Sequence, residues 1–437
     1  MRNSIVLFLA TLVLTTHFSF SQENEKIKTG WNLGALPTIT FDTDLGFQYG
    51  ALVNIFNYGD GSRYPKYNHS LYFEVSRFSK GSGVNRFFYD SDQLLSGIRT
   101  TFDMSYITDP KMDFYGFNGY ETFYNPSFTD ESSDDYVSRV FYAHDRKMFR
   151  MKIDLTGKLS GDRLFWVAGF TSYNFQTGAV DRERFDMPDA ETLYEKYVTW
   201  GIIGEQEKDG GWVNYLKAGI SYDTRDNEPN PMTGIWTEAV IQTAPGFLGN
   251  GDFGHTKFAL THRQYFTLIK EKLSFAGRLA YQQTLGNGKV PFYAQPLVIT
   301  SFLRGTTSQG LGGSKTLRGI LRNRVVGDGF FYGNAELRWK FARFQLINQN
   351  FYLALNPFWD FGIITKPIEV DITDIETGSD FGLTDFFTGT EDKLHQSIGA
   401  GLKIAMNENF VISVDVGKAL KVQDGNTGFY MGLNFLF

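Results

Sequence analysis

Apolar and polar positions alternate with a period of two along most of this chain. From Gly333 to Phe341, Gly333, Ala335, Leu337, Trp339 and Phe341 share one side, and Asn334, Glu336, Arg338 and Lys340 the other. The same pattern sets Phe429, Met431, Leu433, Phe435 and Phe437 against Gly428, Tyr430, Gly432 and Asn434, and Leu353, Leu355, Trp359 and Phe361 against Ala354, Asn356, Phe358 and Asp360. A period of two is that of a strand, and strands with one apolar and one polar face suit a wall between lipid and water. Strands are predicted near 30–41, 45–57, 66–79, 94–107, 111–118, 147–159, 163–176, 212–224, 233–244, 254–267, 272–286, 329–342, 351–364, 394–406, 409–419 and 426–437, each about as long as a tilted span requires. The expected fold is all-β, a transmembrane antiparallel β-barrel of sixteen strands. Connections at 342–351 and 406–409 are tight and those at 177–211, 287–328 and 365–393 are long, the asymmetry of barrels with short periplasmic turns and long outer loops.

The N-terminus adds an address. Arg2, the apolar run Ile5 to Leu14 and the stretch Phe18-Ser19-Phe20-Ser21 before Gln22 read as a secretory signal over residues 1–21. Residues 22–29 then form a short periplasmic segment, and 30–437 a single barrel domain. After the signal no run approaches the ~18 apolar residues of a membrane-spanning helix. Sixteen per cent aromatic residues and 46 glycines in an exported chain fit a barrel whose hydrophobicity is diluted by alternation. This places the protein in the outer membrane of a Gram-negative bacterium, in contact with its lipid. The chain has no cysteine, which excludes disulfides, thiolate metal sites and lipobox acylation. A net charge of −6 argues against nucleic acid.

Little in the sequence points to catalysis. Gly310 to Thr316 resembles a phosphate loop, but Ser314 stands where a Walker motif needs glycine before Lys315. The six histidines have no H-E-x-x-H spacing, and there is no G-x-S-x-G elbow. Asp223 and Asp226 read as turn-stabilising carboxylates rather than a catalytic pair. Trp31, Trp166, Trp212, Trp236 and Trp339 are expected in the interfacial girdles. No catalytic residue, metal site or cofactor is expected, and an embedded hydrolase is a weak third reading.

Four motifs carry a family resemblance. Asp223, Arg225, Asp226, Pro231 and Gly234 lie in a D-x-R-D-x-x-x-x-P-x-x-G stretch; Leu317-Arg318-Gly319-Ile320 follows in a long glycine-rich loop; Asn334-Ala335-Glu336-Leu337-Arg338 and Phe358-Trp359-Asp360-Phe361-Gly362 come after it. In this order they resemble the BamA/TamA-type outer-membrane insertases, the bacterial surface antigen family. The first resembles that family's periplasmic strand-turn-strand signature. The second resembles the V-R-G-F/Y tip of its sixth loop, with Ile320 in place of the aromatic. The resemblance implies that the sixth loop tucks into the lumen and that Arg318 lies against Glu336, Phe358 and Asp360. The alternation independently turns those three side chains inward.

Family members carry POTRA domains before the barrel. Only about eight residues separate Gln22 from the first strand, too few for a folded module, so the expectation is a short branch lacking POTRA domains that works with a separate periplasmic or lipoprotein partner. The implied function is assistance in insertion, assembly or translocation of client proteins at the outer membrane, through a weakly paired seam between the first and last strands. Gly428 and Gly432 would loosen the last strand, which ends on Phe437. The alternative is a passive or gated channel for small solutes or peptides.

Overall fold

A computed structural model describes residues 27–437 apart from 65, 188–189, 303–306, 347–348, 378–380 and 407–409. The expected signal peptide, and 22–26 of the segment after it, therefore lie outside the described residues. Sixteen antiparallel strands close into one barrel. They are β1 (Trp31–Asp42), β2 (Gly46–Asn57), β3 (His69–Phe78), β4 (Gly83–Leu95), β5 (Ile98–Asp113), β6 (Ala143–Ser160), β7 (Leu164–Gly178), β8 (Gly210–Asp223), β9 (Gly234–Ala244), β10 (His255–Ile269), β11 (Leu273–Leu285), β12 (Gly329–Leu346), β13 (Gln349–Lys366), β14 (His395–Met406), β15 (Phe410–Ala419) and β16 (Thr427–Leu433). Each pairs with its neighbours in sequence, and β1 meets β16.

The alternation works as anticipated on the wall. Leu337, Trp339 and Phe341 of β12 are exposed on the outside, whereas Asn334, Glu336, Arg338 and Lys340 are buried within. Closure matters because a strand edge facing lipid has no water to satisfy its backbone groups.

Two strand placements differ from expectation. Instead of 94–107 and 111–118, the chain forms β4 and β5, joined by a turn at Ser96-Gly97 with Gly97 at φ 73°. The glycine pair around Ser82 is only a tight turn, with Gly81 at φ 102°, so the strand begins earlier than its polar sequence suggests. Beyond Asp113 the chain leaves the wall, and Phe114, Tyr115 and Phe117 are buried among the loops.

The last strand also stops short. Asn434 adopts φ 66°, which breaks the alternation, and Phe435 and Phe437 turn into the lumen instead of facing lipid. Phe437 packs with Tyr265 and Ala276, and the Arg338 guanidinium lies 4.2 Å from the Phe435 ring centre. A third correction concerns Trp236. It shares parity with Glu238 on β9 and so faces the lumen, not a girdle; it is 2% exposed, and its indole N–H donates to Ser221 Oγ at 3.2 Å.

The longest connections collect at one end of the barrel: residues 114–142 (loop 3), 179–209 (loop 4), 286–328 (loop 6) and 367–394 (loop 7), with the shorter 420–426 (loop 8) beside them. Loop 4 carries the single α-helix of the described residues, α1 (Leu193–Thr199), whose Thr192 and Glu195 form a capping box. Phe114, Phe128, Tyr142, Tyr197, Phe292 and Phe386, drawn from loops 3, 4, 6 and 7, join in one apolar cluster. This aromatic dome covers the mouth, beneath which loop 6 descends into the barrel.

Candidate functional site: the loop 6 anchor and the strand seam

Loop 6 can enter the lumen because its sequence closes on itself. Thr316 Oγ accepts from the Gly312 N–H at 2.8 Å and donates to the Gly312 carbonyl at 2.9 Å, a tight ring that aims the next residues at the wall. Leu317 and Ile320 are fully buried with Leu311, Val325 and Tyr332. Ile320 thus fills an apolar site with no need of an aromatic ring.

Arg318, between them, is 1% exposed. Its Nε and Nη2 donate to the two oxygens of Asp360 at 2.9 and 3.0 Å, and its backbone N–H donates to Oδ2 of the same carboxylate at 3.0 Å. Nη1 makes an ion pair with Glu336 at 2.9 Å, and Asp415 stands 3.6 Å away. The guanidinium plane covers Phe358, with 3.5 Å from its carbon to the ring centre. Burial opposes the charge, but Asp360, Glu336 and Asp415 outweigh it and raise the Arg318 pKa above the ordinary arginine value. A planar fork of five donors can engage two carboxylates and a ring at once; a lysine ammonium cannot.

The structure therefore brings Arg318, Glu336, Phe358 and Asp360 together. It adds residues that no sequence pattern singled out. Tyr430 Oη accepts the Gly319 N–H at 3.1 Å. Gly417 packs directly against the Arg318–Gly319 main chain. Lys403 neutralises Asp415 at 2.7 Å. These came from β14, β15 and β16, whose polar positions look alike in sequence; only the loop's depth chooses among them.

The Asp223–Gly234 segment lies at the opposite end of the barrel. Arg225 bonds both Asp223 oxygens at 2.9 and 2.6 Å and stacks on Trp236 at 4.0 Å. Asp226 Oδ1 accepts the N–H groups of Asn227, Met232 and Thr233 at 3.0 to 3.2 Å. Pro231 is buried in the turn, and Gly234 closes it at φ 108°. Every polar atom named here serves the turn itself, so the arrangement is a structural clasp.

The seam is short. β1 pairs with β2 at every position from Trp31↔Asn57 to Asp42↔Gly46, but with β16 only at Phe41↔Met431 and Asp42↔Tyr430. Three further hydrogen bonds join Thr43 to Phe429, at 2.7 to 3.0 Å. Below Phe41 the free edge of β1 has no strand partner among the described residues, and Trp31 and Leu33 are 62% and 72% exposed. Gly428 lies at the paired end of β16, whereas Gly432 has open space beside it.

Comparison with known proteins agrees with this fold. The Omp85 superfamily domain model matches residues 66–437. Among solved structures, the chain resembles BamA from Haemophilus ducreyi lacking POTRA domains 1–3, with a TM-score of 0.55 and 16% identity over 93% of this chain and 71% of that one. It also resembles CdiB from Escherichia coli, with a TM-score of 0.55 and 11% identity over 93% of this chain and 63% of that one. At such identities the likeness speaks for the fold. No curated protein matches the sequence. With the matched region covering most of the chain and the closed sixteen-stranded wall in place, the protein belongs to the Omp85 superfamily of outer-membrane β-barrels.

Proposed function

We propose that this barrel assists the insertion, assembly or translocation of other proteins at the outer membrane of a Gram-negative bacterium, together with a separate periplasmic partner, and that it performs no hydrolysis. The observation that carries the reading is the seam, held by two residue pairs while β1 is fully paired on its other side. Unpaired backbone groups facing lipid are costly, and an incoming strand relieves that cost by adding to the edge of β1. Recognition through the main chain tolerates many client sequences. The inward turn at Asn434 removes the end of the chain from the edge that such a strand would need. A passive channel sits less well with a lumen filled by loop 6 and roofed by the aromatic dome.

The test uses the absence of native cysteine. Phe41→Cys with Met431→Cys should lock the seam on oxidation. Assembly of client barrels in cells or in reconstituted vesicles should stop in the oxidised protein and resume on reduction. Unchanged client assembly with a fully formed disulfide would overturn the seam mechanism. Pull-down of the tagged barrel from gentle detergent should recover a stoichiometric periplasmic or lipoprotein partner; a solitary barrel would count against the partner.

A further inference from the structure

Arg318 belongs to the second of two limbs that loop 6 sends into the barrel. The first, residues 294–302, lies against β6 and β9 to β11, and its main chain is held by side chains of the wall. Lys257 donates to the Ala294 carbonyl at 3.2 Å. Gln282 donates to the Leu297 carbonyl and accepts the Ile299 N–H, both at 2.8 Å. Deeper still, Arg263 donates to the Thr300 carbonyl, Glu238 Oε1 accepts the Phe302 N–H at 3.0 Å and the Ser301 hydroxyl at 3.1 Å, and Lys152 donates to the Phe302 carbonyl at 2.8 Å.

These wall groups are built into a network of their own. Glu238 Oε2 pairs with Arg263 at 2.9 Å, and Arg263 stacks on the Trp236 ring at 3.8 Å. Lys152 pairs with Asp154 at 2.8 Å. Lys152, Glu238 and Arg263 are each less than one-tenth exposed. The Phe302 ring fits between Val167 and Val240, with the Lys217 ammonium 4.8 Å from its centre. Buried charges of this kind are costly unless hydrogen-bonded, and here the main chain of loop 6 supplies the missing partners.

The two anchors share no strand. The Thr300–Phe302 limb is gripped from β6, β9 and β10, and Arg318 from β12, β13 and β15, with Tyr430 of β16 beside it. Only the second set includes the seam strand. We infer that Lys152, Glu238 and Arg263 form a second docking site for loop 6, one that binds its main chain on the wall away from the seam and retains the loop in the lumen when the Arg318 anchor is released. Loop 6 is then a strap held at two independent points on the wall.

Amide hydrogen exchange of the full chain in lipid nanodiscs, resolved by peptide, tests this directly. In Arg318→Ala, exchange over 315–320 should rise by about tenfold or more, the effect of losing charge-assisted hydrogen bonds, while 297–302 stays protected. In Glu238→Ala the pattern should invert. If Arg318→Ala frees both limbs equally, or Glu238→Ala leaves 297–302 protected, the second site does not exist as an independent anchor. Should Glu238→Ala fail to give a folded, heat-modifiable barrel, the loop variants decide. Phe302→Pro removes the captured N–H without touching the wall and should free the first limb. Phe302→Ala keeps the N–H and should retain most protection; equal loss in both would overturn recognition through the main chain.

Discussion

Gly417 of β15 meets Gly319 of loop 6 main chain to main chain. A Cβ on Gly417 would fall 2.6 Å from the Arg318 carbonyl oxygen, and a Cβ on Gly319, at φ 90°, would fall 2.5 Å from the Gly417 carbonyl carbon. The loop can bring its arginine down to Asp360 only because neither residue carries a side chain at the contact. Gly417→Ala should therefore lift the loop tip and weaken the Arg318 anchor while leaving the outer wall intact. The expected readout is lower thermal stability of the heat-modifiable form and faster exchange over 315–320; an unchanged pair of values would show that the close approach is dispensable.

Arg318 itself should be irreplaceable by lysine. Removing one partner from a buried ion cluster leaves an uncompensated charge, at a cost of about 3–5 kcal/mol. Arg318→Ala should lose stability on that scale, and Arg318→Lys most of it, because one ammonium cannot serve both Asp360 oxygens, Glu336 and the Phe358 face. Urea unfolding of the reconstituted barrel measures this, and full stability in the lysine variant would refute the fork argument. Glu336→Gln with Asp360→Asn should likewise reduce the yield of folded barrel.

Tyr430 links the loop to the seam strand through a single hydroxyl. Tyr430→Phe leaves the Gly319 N–H buried without an acceptor, at a cost of about 1–3 kcal/mol. Local protection at Gly319 should fall, with the packing of the ring preserved. Equal exchange in the two proteins would mean that another acceptor replaces the hydroxyl.

Asn434 holds the inward turn of the tail. A β-branched residue is disfavoured at its positive φ, so Asn434→Val should push the tail back towards the wall. Continuing the Phe41↔Met431 register along both strands sets Leu36 against Leu436. A Leu36→Cys, Leu436→Cys pair should cross-link poorly in the native background and efficiently with Asn434→Val. Equal yields in both would deny the turn its role.

Asp226 gathers three N–H groups of the turn between β8 and β9. Asp226→Ala should open that turn to protease while the barrel stays folded. A resistant turn would show that Pro231 and the Arg225–Asp223 pair suffice.

The sequence by itself determined the wall. Alternation places residues on two faces whatever the details of pairing, so sixteen strands, the inward face of Glu336, Phe358 and Asp360, and the long loop bearing Arg318 are all legible in the chain alone. It misread β4 and β5, where polar residues at a lumen-facing strand look the same as those of a loop. It also misplaced Phe435 and Phe437, because one left-handed residue at Asn434 reverses everything after it. Trp236 failed as a girdle residue for a related reason: residue type suggested lipid, while strand parity placed it inside.

Only tertiary structure decided what fills the barrel. Which of many similar lumenal side chains meet loop 6 depends on how deep each limb descends and on contacts between residues far apart in the chain, such as Glu238 with Phe302 or Gly417 with Gly319. Those contacts have no periodicity and no local spacing to betray them. The shortness of the seam is of the same kind, since only the folded chain shows that β16 pairs with β1 at two positions and that the tail then turns into the lumen.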